Sequence, residues 1–355
     1  MKIKIFVFFI FCCACRSFGF QTQPLAGEWR FALDRKDAGL GEKWFNQKLA
    51  DKIKLPGILE QQGYGDEIST TTPWMLSLYD HFWFSRADYA AYTNAGNVKV
   101  PFLCQPERHY VGAAWYQRDI KIPKAWNGKR VTLFMERPHW KSTVWLDDHE
   151  IGSDISLCVP HEFDFGVMSP GKHRLTVRVD NRMILPYRLD AHSVSDSLDD
   201  AWNGIIGKIE LRATAPVWAD DVRISANATN KTIFVRYMLH NVSGLEASGK
   251  ISFFIESCAG TKPVSVLGSS KNFNNWSETN TPMEGELGVT VDKAELWSEF
   301  TPALYKLRIE VAADTDKLTR EVTTNVFAFR DFHTESNQFI LNGHPIYFRG
   351  THFGG

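Results

Sequence analysis

The sequence predicts an all-β protein made of two consecutive antiparallel sandwiches, and three observations carry that prediction. Short apolar–polar alternations recur along the chain, separated by Gly, Pro, Asn and Asp, the residues that turn a backbone. Amphipathic periodicity of the helical kind is almost absent. The chain of 355 residues is long enough for two domains with sizeable cores, and Pro216-Val217-Trp218 marks the joint between them.

Residues 1–20 read as an export signal. Lys2 and Lys4 form a basic start, and Ile5 to Ala14 is an apolar run too short to span a membrane as a helix. Ser17-Phe18-Gly19 offers small residues for cleavage near Gly19. Cys12-Cys13-Ala14-Cys15 leaves a second reading open, a lipoprotein signal with Cys15 acylated. Either reading sends the mature protein out of the cytoplasm, secreted or periplasmic.

The first domain is expected over 21–215. Leu25 to Leu33 alternates as a first strand. Leu55-Pro56-Gly57 opens a long irregular region reaching about Gln105, with Trp74, Phe82-Trp83-Phe84 and Tyr89 to Tyr92 inside it. Loops of this length within a compact domain tend to be functional. Their aromatics either stack on sugars or pack the loop onto the sandwich. Strands are expected at 113–122, 130–135 and 142–146, with Asp147-Asp148-His149 turning into Glu150-Ile151. Pro170-Gly171-Lys172 then turns into a strand at 173–181, and 204–211 closes the domain.

The second domain is expected over 216–330. Runs at 221–224, 232–237, 249–255, 285–291, 304–311 and 321–329 supply six or seven strands, the rhythm of an immunoglobulin-like sandwich. A last stretch, 331–355, places two short β-rich runs, Phe339-Ile340-Leu341 and Ile346 to Arg349, around Asn342-Gly343. That dipeptide is a strong hairpin signal because both residues tolerate positive φ.

Composition excludes several partners. Lys+Arg 40 against Asp+Glu 41 gives a net charge of −1, without blocks of like charge. Nucleic acid and anionic membrane both call for a basic surface, so neither is an expected partner. Outside the signal, Cys104, Cys158 and Cys258 are widely spaced, so buried free thiols are expected and a metal site is not. Asn227, Asn230, Asn241 and Asn275 each open an Asn-x-Ser/Thr pattern.

Several phrases, in order, resemble glycoside hydrolase family 2, the β-galactosidase, β-glucuronidase and β-mannosidase group. They are Trp115-Tyr116-Gln117-Arg118, Val144-Trp145-Leu146-Asp147, Gly171 to Asn181, and Trp202-Asn203-Gly204-Ile205-Ile206-Gly207. Trp297 to Tyr305 and the closing Phe329-Arg330-Asp331-Phe332 through Arg349-Gly350 extend the resemblance over nearly the whole mature chain. It implies a jelly-roll (galactose-binding-like) sandwich, an immunoglobulin-like sandwich, and then the first strands of a truncated (β/α)8 barrel over 331–355. The activity it implies is retaining hydrolysis of terminal β-linked sugars without a cofactor, on a β-linked oligo- or polysaccharide.

Such hydrolysis needs two carboxyl groups about the anomeric carbon. The resemblance implies that both are glutamates on later barrel strands, so no catalytic residue is expected in this chain. Glu210, Glu256 and Glu286 read as ordinary strand or turn carboxylates. What this chain is expected to lend is pocket wall. Asp200 matches the place of an acidic residue that the galactosidase branch sets two positions before a Trp, here Trp202, with Asn203 beside it. The competing account makes Asp199-Asp200 a turn cap. Arg349 and His352 lie at or past the end of a barrel strand, the face that carries active sites in such barrels. Arg349 reads equally well as a structural ion-pair partner.

The family phrase Arg-Gly-x-Asn-x-His-Glu becomes Arg349-Gly350-Thr351-His352-Phe353-Gly354-Gly355 here, lacking the Asn, His and Glu, which argues for a divergent branch. His139-Trp140 also stands out. His192, Ser193 and Asp196 hold triad residue types but share one loop, whereas a triad draws on converging elements. The rival function is a non-catalytic secreted carbohydrate-binding protein, its first sandwich holding sugar and its second serving as a stalk.

Overall fold

The computed structural model describes residues 21–94, 96–100, 107–183, 188, 202–277, 281–316 and 320–351. The chain divides into two compact units, 21–216 and 217–346, with the described residues 347–351 grouped with the first.

The first unit contains β1 (Gln21–Pro24), β2 (Gly27–Asp34), β3 (Asp51–Leu55), β4 (Gly57–Ile58), β5 (Ala113–Ile122) and β6 (Arg130–Pro138). It continues through β7 (Lys141–Leu146), β8 (His149–Ile155), β9 (His161–Val167), β10 (Gly171–Asp180) and β11 (Gly204–Thr214). Two antiparallel sheets result, one ordered β1-β11-β6-β9 with β4 also on β11, the other β3-β2-β5-β10-β7-β8. Phe31, Tyr116, Val144, Val177, Leu133 and Leu211 meet in the core between them. This is the expected jelly roll.

β5 is buried along most of its length because both of its faces are covered. Tyr116 points into the core, while Trp115 points outward against Trp145, 5.2 Å between rings, under a cover that includes Leu49, Trp44 and Phe45. Strands β5 and β7 lie where the alternation places them. β3 and β9 were not anticipated; each is short, and β9 buries only Phe163 and His161 fully.

In the long irregular region, Trp74 and Trp83 meet edge-on at 5.1 Å and build a small core of their own with Val100. Tyr79 and Phe82 remain 73% and 71% exposed. The two readings of these aromatics therefore divide between residues, the tryptophans packing the loop and the outer pair facing solvent.

The second unit consists of β12 (Val217–Asn227), β13 (Thr232–Asn241), β14 (Ala247–Ser257), β15 (Ser265–Trp276), β16 (Met283–Thr290), β17 (Tyr305–Ala313) and β18 (Arg320–Phe327). Its sheets are β12-β13-β16 and β15-β14-β17-β18, closing on Val235, Phe253, Ile309 and Tyr305. β15 escapes a hydrophobic-pattern reading because Ser269 to Asn275 is mostly polar and exposed. β19 (Phe332–Glu335), β20 (Gln338–Leu341) and β21 (His344–Ile346) follow as an antiparallel meander. Asn342 and Gly343 turn it with φ of 53° and 82°, as their sequence demands. The Asn342 side chain reaches back, donating from Nδ2 to the Trp297 carbonyl at 2.9 Å.

Two expectations are corrected. Cys158 is exposed and Cys258 half-buried, both as free thiols, so burial does not hold for Cys158; Cys104 lies outside the described residues. Asn241 is buried, with its Nδ2 donating to the Leu245 and Trp276 carbonyls, so its Asn-x-Ser pattern offers no free amide.

Candidate functional site

β10 and β11 are consecutive strands that lie in opposite sheets. Asp200, the His192–Asp196 group and His352 fall outside the described residues. Trp202 and Asn203 are described, and they lead directly into β11.

Asn203 is fully buried. Its Nδ2 donates to the carbonyls of Gly112 (3.1 Å) and Val179 (3.2 Å), and its Oδ1 accepts from the Tyr116 hydroxyl at 2.8 Å. Its backbone N–H donates to Glu60 Oε1 at 3.0 Å, and its carbonyl accepts from the Leu59 N–H at 2.9 Å. This amide thus spends its main hydrogen-bonding capacity inside the protein. Asn203 has a structural role, tying its own segment to three others at 59–60, 112–116 and 179. Gly204 must follow it, since its φ is 151° and a Cβ there would lie 2.4 Å from the Gly57 carbonyl oxygen.

Trp202 is half-buried. Its carbonyl accepts from His139 Nδ1 at 2.5 Å and from Asn181 Nδ2 at 3.1 Å, and its ring lies 4.3 Å from the His139 ring. His139-Trp140 therefore has a role in this cluster, Trp140 Nε1 donating to the Arg182 carbonyl at 2.8 Å. The backbone of Trp202 is fixed while part of its side chain stays open, which is the arrangement an aromatic wall requires.

Charge is organised on the β10 side. Arg178, 7% exposed at its side chain, bridges Asp37 (2.9 Å) and Asp180 (3.0 Å), and Arg182 bridges the same two carboxylates at 3.1 and 2.5 Å. Burial pushes Asp180 upward, but hydrogen bonds from Arg182 and the charges of both arginines outweigh it and hold the carboxyl below its ordinary range. Arg182 is raised in turn, chiefly by its bond to Asp180.

Glu60 behaves oppositely. It is 2% exposed, no cation pairs with it among the described residues, and burial pushes its carboxyl up to about 8. Its Oε2 has no hydrogen-bond partner. Burial also raises Tyr116 well above the ordinary tyrosine value, with Glu60 adding to the effect. Sequence reading missed Glu60, Tyr116, Asp180 and Arg182. The single available signal was the Trp202-Asn203 phrase, because the partners lie up to 143 positions away.

Arg349 is exposed within residues 347–351 and forms no ion pair among the described residues. Glu210 pairs with Arg212 at 2.9 Å, Glu256 with Arg308 at 3.4 Å and Glu286 with Arg236 at 2.7 Å, all on strands.

Residues 218–330 match the family model described as glycosyl hydrolases family 2. A β-glucuronidase of Paenibacillus borealis is 22% identical over 93% of this chain and 49% of its own length. The β-galactosidase large subunit of Leuconostoc lactis is 25% identical over 90% of this chain and 48% of its own length. The chain thus spans about half the length of these curated relatives. Among solved structures, Bacteroides uniformis β-glucuronidase 2, covalently bound to cyclophellitol-6-carboxylate aziridine, superposes with a TM-score of 0.65 at 19% identity, covering 93% of this chain and 35% of that one. The resemblance read from the motifs therefore extends to the family model matched by residues 218–330, and the chain has the fold of the N-terminal portion of the β-glucuronidases on which it superposes.

Proposed function

We propose that this chain is the accessory portion of a secreted or periplasmic retaining exo-glycosidase that releases terminal β-linked sugars. The observation that carries the reading is the anchoring of Trp202. Its backbone is gripped by His139 and Asn181 just before β11 begins. In this reading Asp200 accepts hydrogen bonds from sugar hydroxyls and Trp202 offers a ring face, while Arg349 approaches from the barrel entry. In this reading the attacking and protonating glutamates belong to later barrel strands, and the 355 residues alone are expected not to hydrolyse. β-Glucuronides are the first class to test, since several similar proteins bear that name.

The test extends the reading frame past Gly355 and assays the product on nitrophenyl β-glucuronide, β-galactoside and β-mannoside. Activity on one of them, reduced at least tenfold by Asp200→Ala and Trp202→Ala, supports the reading. An extended protein without two essential glutamates would sink it. Exposed Tyr79 and Phe82 favour a second reading, a non-catalytic carbohydrate-binding protein. That reading requires glycan binding by the isolated chain that Phe82→Ala abolishes.

A further inference from the structure

The second unit contains a cleft that the glycosidase reading does not use. β12 and β18 are edge strands of opposite sheets. At one end of their flank they are tied, with Thr323 Oγ1 donating to the Ala219 carbonyl at 2.9 Å. The inward residues there, Val217 and Ala219, are 1% and 2% exposed. The register of β12 on β13 then slips between Asp220 and Arg223, and Asp221 takes a φ of 44°. A bulge bends its strand and changes which residues face inward. Beyond it Val222, Ile224 and Ala226 turn toward the core yet stay only half-buried. The flank opens there into a cavity of about 660 Å³.

Three kinds of group meet in this cavity. Val222, Ile224, Leu304 and Phe327 give it an apolar wall. Asn325 lies on β18 between the inward-facing Thr323 and Phe327, and its Oδ1 is buried without a hydrogen-bond partner. Native proteins rarely leave a buried amide oxygen unpaired, so such an atom marks a place where a donor is awaited. Arg330 completes the lining, its guanidinium 5.6 Å from the ring centre of Trp297. It is exposed and has no carboxylate partner among the described residues.

We propose that this cleft binds a carboxylate-bearing sugar, a uronic acid residue, as a site separate from the jelly-roll end. Each group answers one part of such a ligand. Arg330 pairs with the carboxylate in the planar two-bond geometry that guanidinium favours. Asn325 Oδ1 accepts from a ring hydroxyl, and the apolar wall takes the C–H face of the pyranose. The volume falls within the range of about 300–1,000 Å³ typical of small-molecule pockets. A neutral hexose leaves Arg330 unanswered, and an acidic peptide brings the carboxylate without the ring.

The test is calorimetric titration of the 355-residue chain with glucuronate, glucose and a short Glu-rich peptide at low salt. It is run on the wild type and on Arg330→Gln, Asn325→Ala and Trp202→Ala. Glucuronate is expected to bind at least tenfold more tightly than glucose. Arg330→Gln, a surface change that leaves the fold intact, is expected to erase that preference. Asn325→Ala should weaken both sugars about tenfold, the scale of one lost hydrogen bond, and Trp202→Ala, which removes any binding at the jelly-roll end, should leave the Arg330-dependent binding in place. The proposal is overturned by equal glucuronate affinity in wild type and Arg330→Gln, or by loss of the Arg330-dependent binding in Trp202→Ala. Absence of glucuronate binding at tens of millimolar, or peptide binding alone depending on Arg330, overturns it as well. None of these outcomes depends on hydrolytic activity, so this proposal and the glycosidase reading fail separately.

Discussion

The two sandwiches solve the same packing problem with different materials. The second is closed almost entirely by apolar side chains; among its described residues only Asn241 and Glu321 are buried and polar. The first buries Glu60, His139, His161, Arg178, Asp180, Asn181 and Asn203, most of them at the end where β10 gives way to β11. Buried polar groups cost free energy unless every one finds a partner, so a fold concentrates them where geometry must be fixed. The difference separates a unit shaped by burial alone from one shaped to hold particular backbone atoms still.

The sharpest break of that contrast is Asn203→Leu. It strands the Tyr116 hydroxyl and takes the side-chain donor from the Val179 carbonyl, while the Gly112 carbonyl keeps the Asn181 N–H; at about 1–3 kcal/mol for each of the two groups left short it should cost about 2–6 kcal/mol. Hydrogen-exchange mass spectrometry should find the loss confined to 21–216, with 217–346 keeping its protection. Spread of the loss across both units would undo the comparison.

Phe253→Ala is the counterpart in the apolar unit. Phe253 is 0% exposed and packs 5.3 Å from the Tyr237 ring, and a truncation of this kind costs about 3–5 kcal/mol through lost contacts and a residual cavity. Its effect in urea unfolding should be independent of pH, because no titrating group is removed.

Glu60→Gln should behave in the opposite manner. The carboxyl titrates near 4.5 when unfolded and at about 8 when folded. Its contribution is therefore complete below about 4.5 and disappears as pH climbs through 8. Between pH 5 and pH 9 the wild type should lose about 4 kcal/mol that the glutamine variant keeps, because glutamine still accepts from the Asn203 N–H without acquiring charge. Parallel pH profiles for the two proteins would refute a buried neutral Glu60.

The smallest effect is expected on the outer faces. Arg236 and Glu286, 66% and 63% exposed at their side chains, should be worth less than about 0.5 kcal/mol in a double-mutant cycle.

The strands were legible wherever alternation and turn residues agreed. β5 and β7 follow from Ala113 to Ile122 and Ser142 to Leu146, and the Asn342-Gly343 turn from two residues suited to positive φ. β15 was illegible because its exposed polar run lacks the pattern that burial imposes. At the site, resemblance pointed to Trp202 and Asn203 but not to the hydrogen bonds Asn203 makes. Its partners come from three distant segments, and no local rule ties Glu60 or Tyr116 to residue 203. Side-chain alternation predicts which face a residue takes, whereas a hydrogen-bond hub is a property of the assembled chain.

The place of β11 carries a consequence for synthesis. It is the last strand of the jelly roll, yet it lies inside its sheet, between β1 and β6 with β4 also against it. A nascent chain lacking residues 204–214 holds three strands that have no common neighbour, and contacts that close such long loops form slowly. The first sandwich therefore cannot be finished in step with translation: its earliest and middle strands wait, edges open, for its final one. Chains stalled just before Gly204 should be captured by chaperones and cleaved by proteases, and those stalled well beyond Pro216 should resist both.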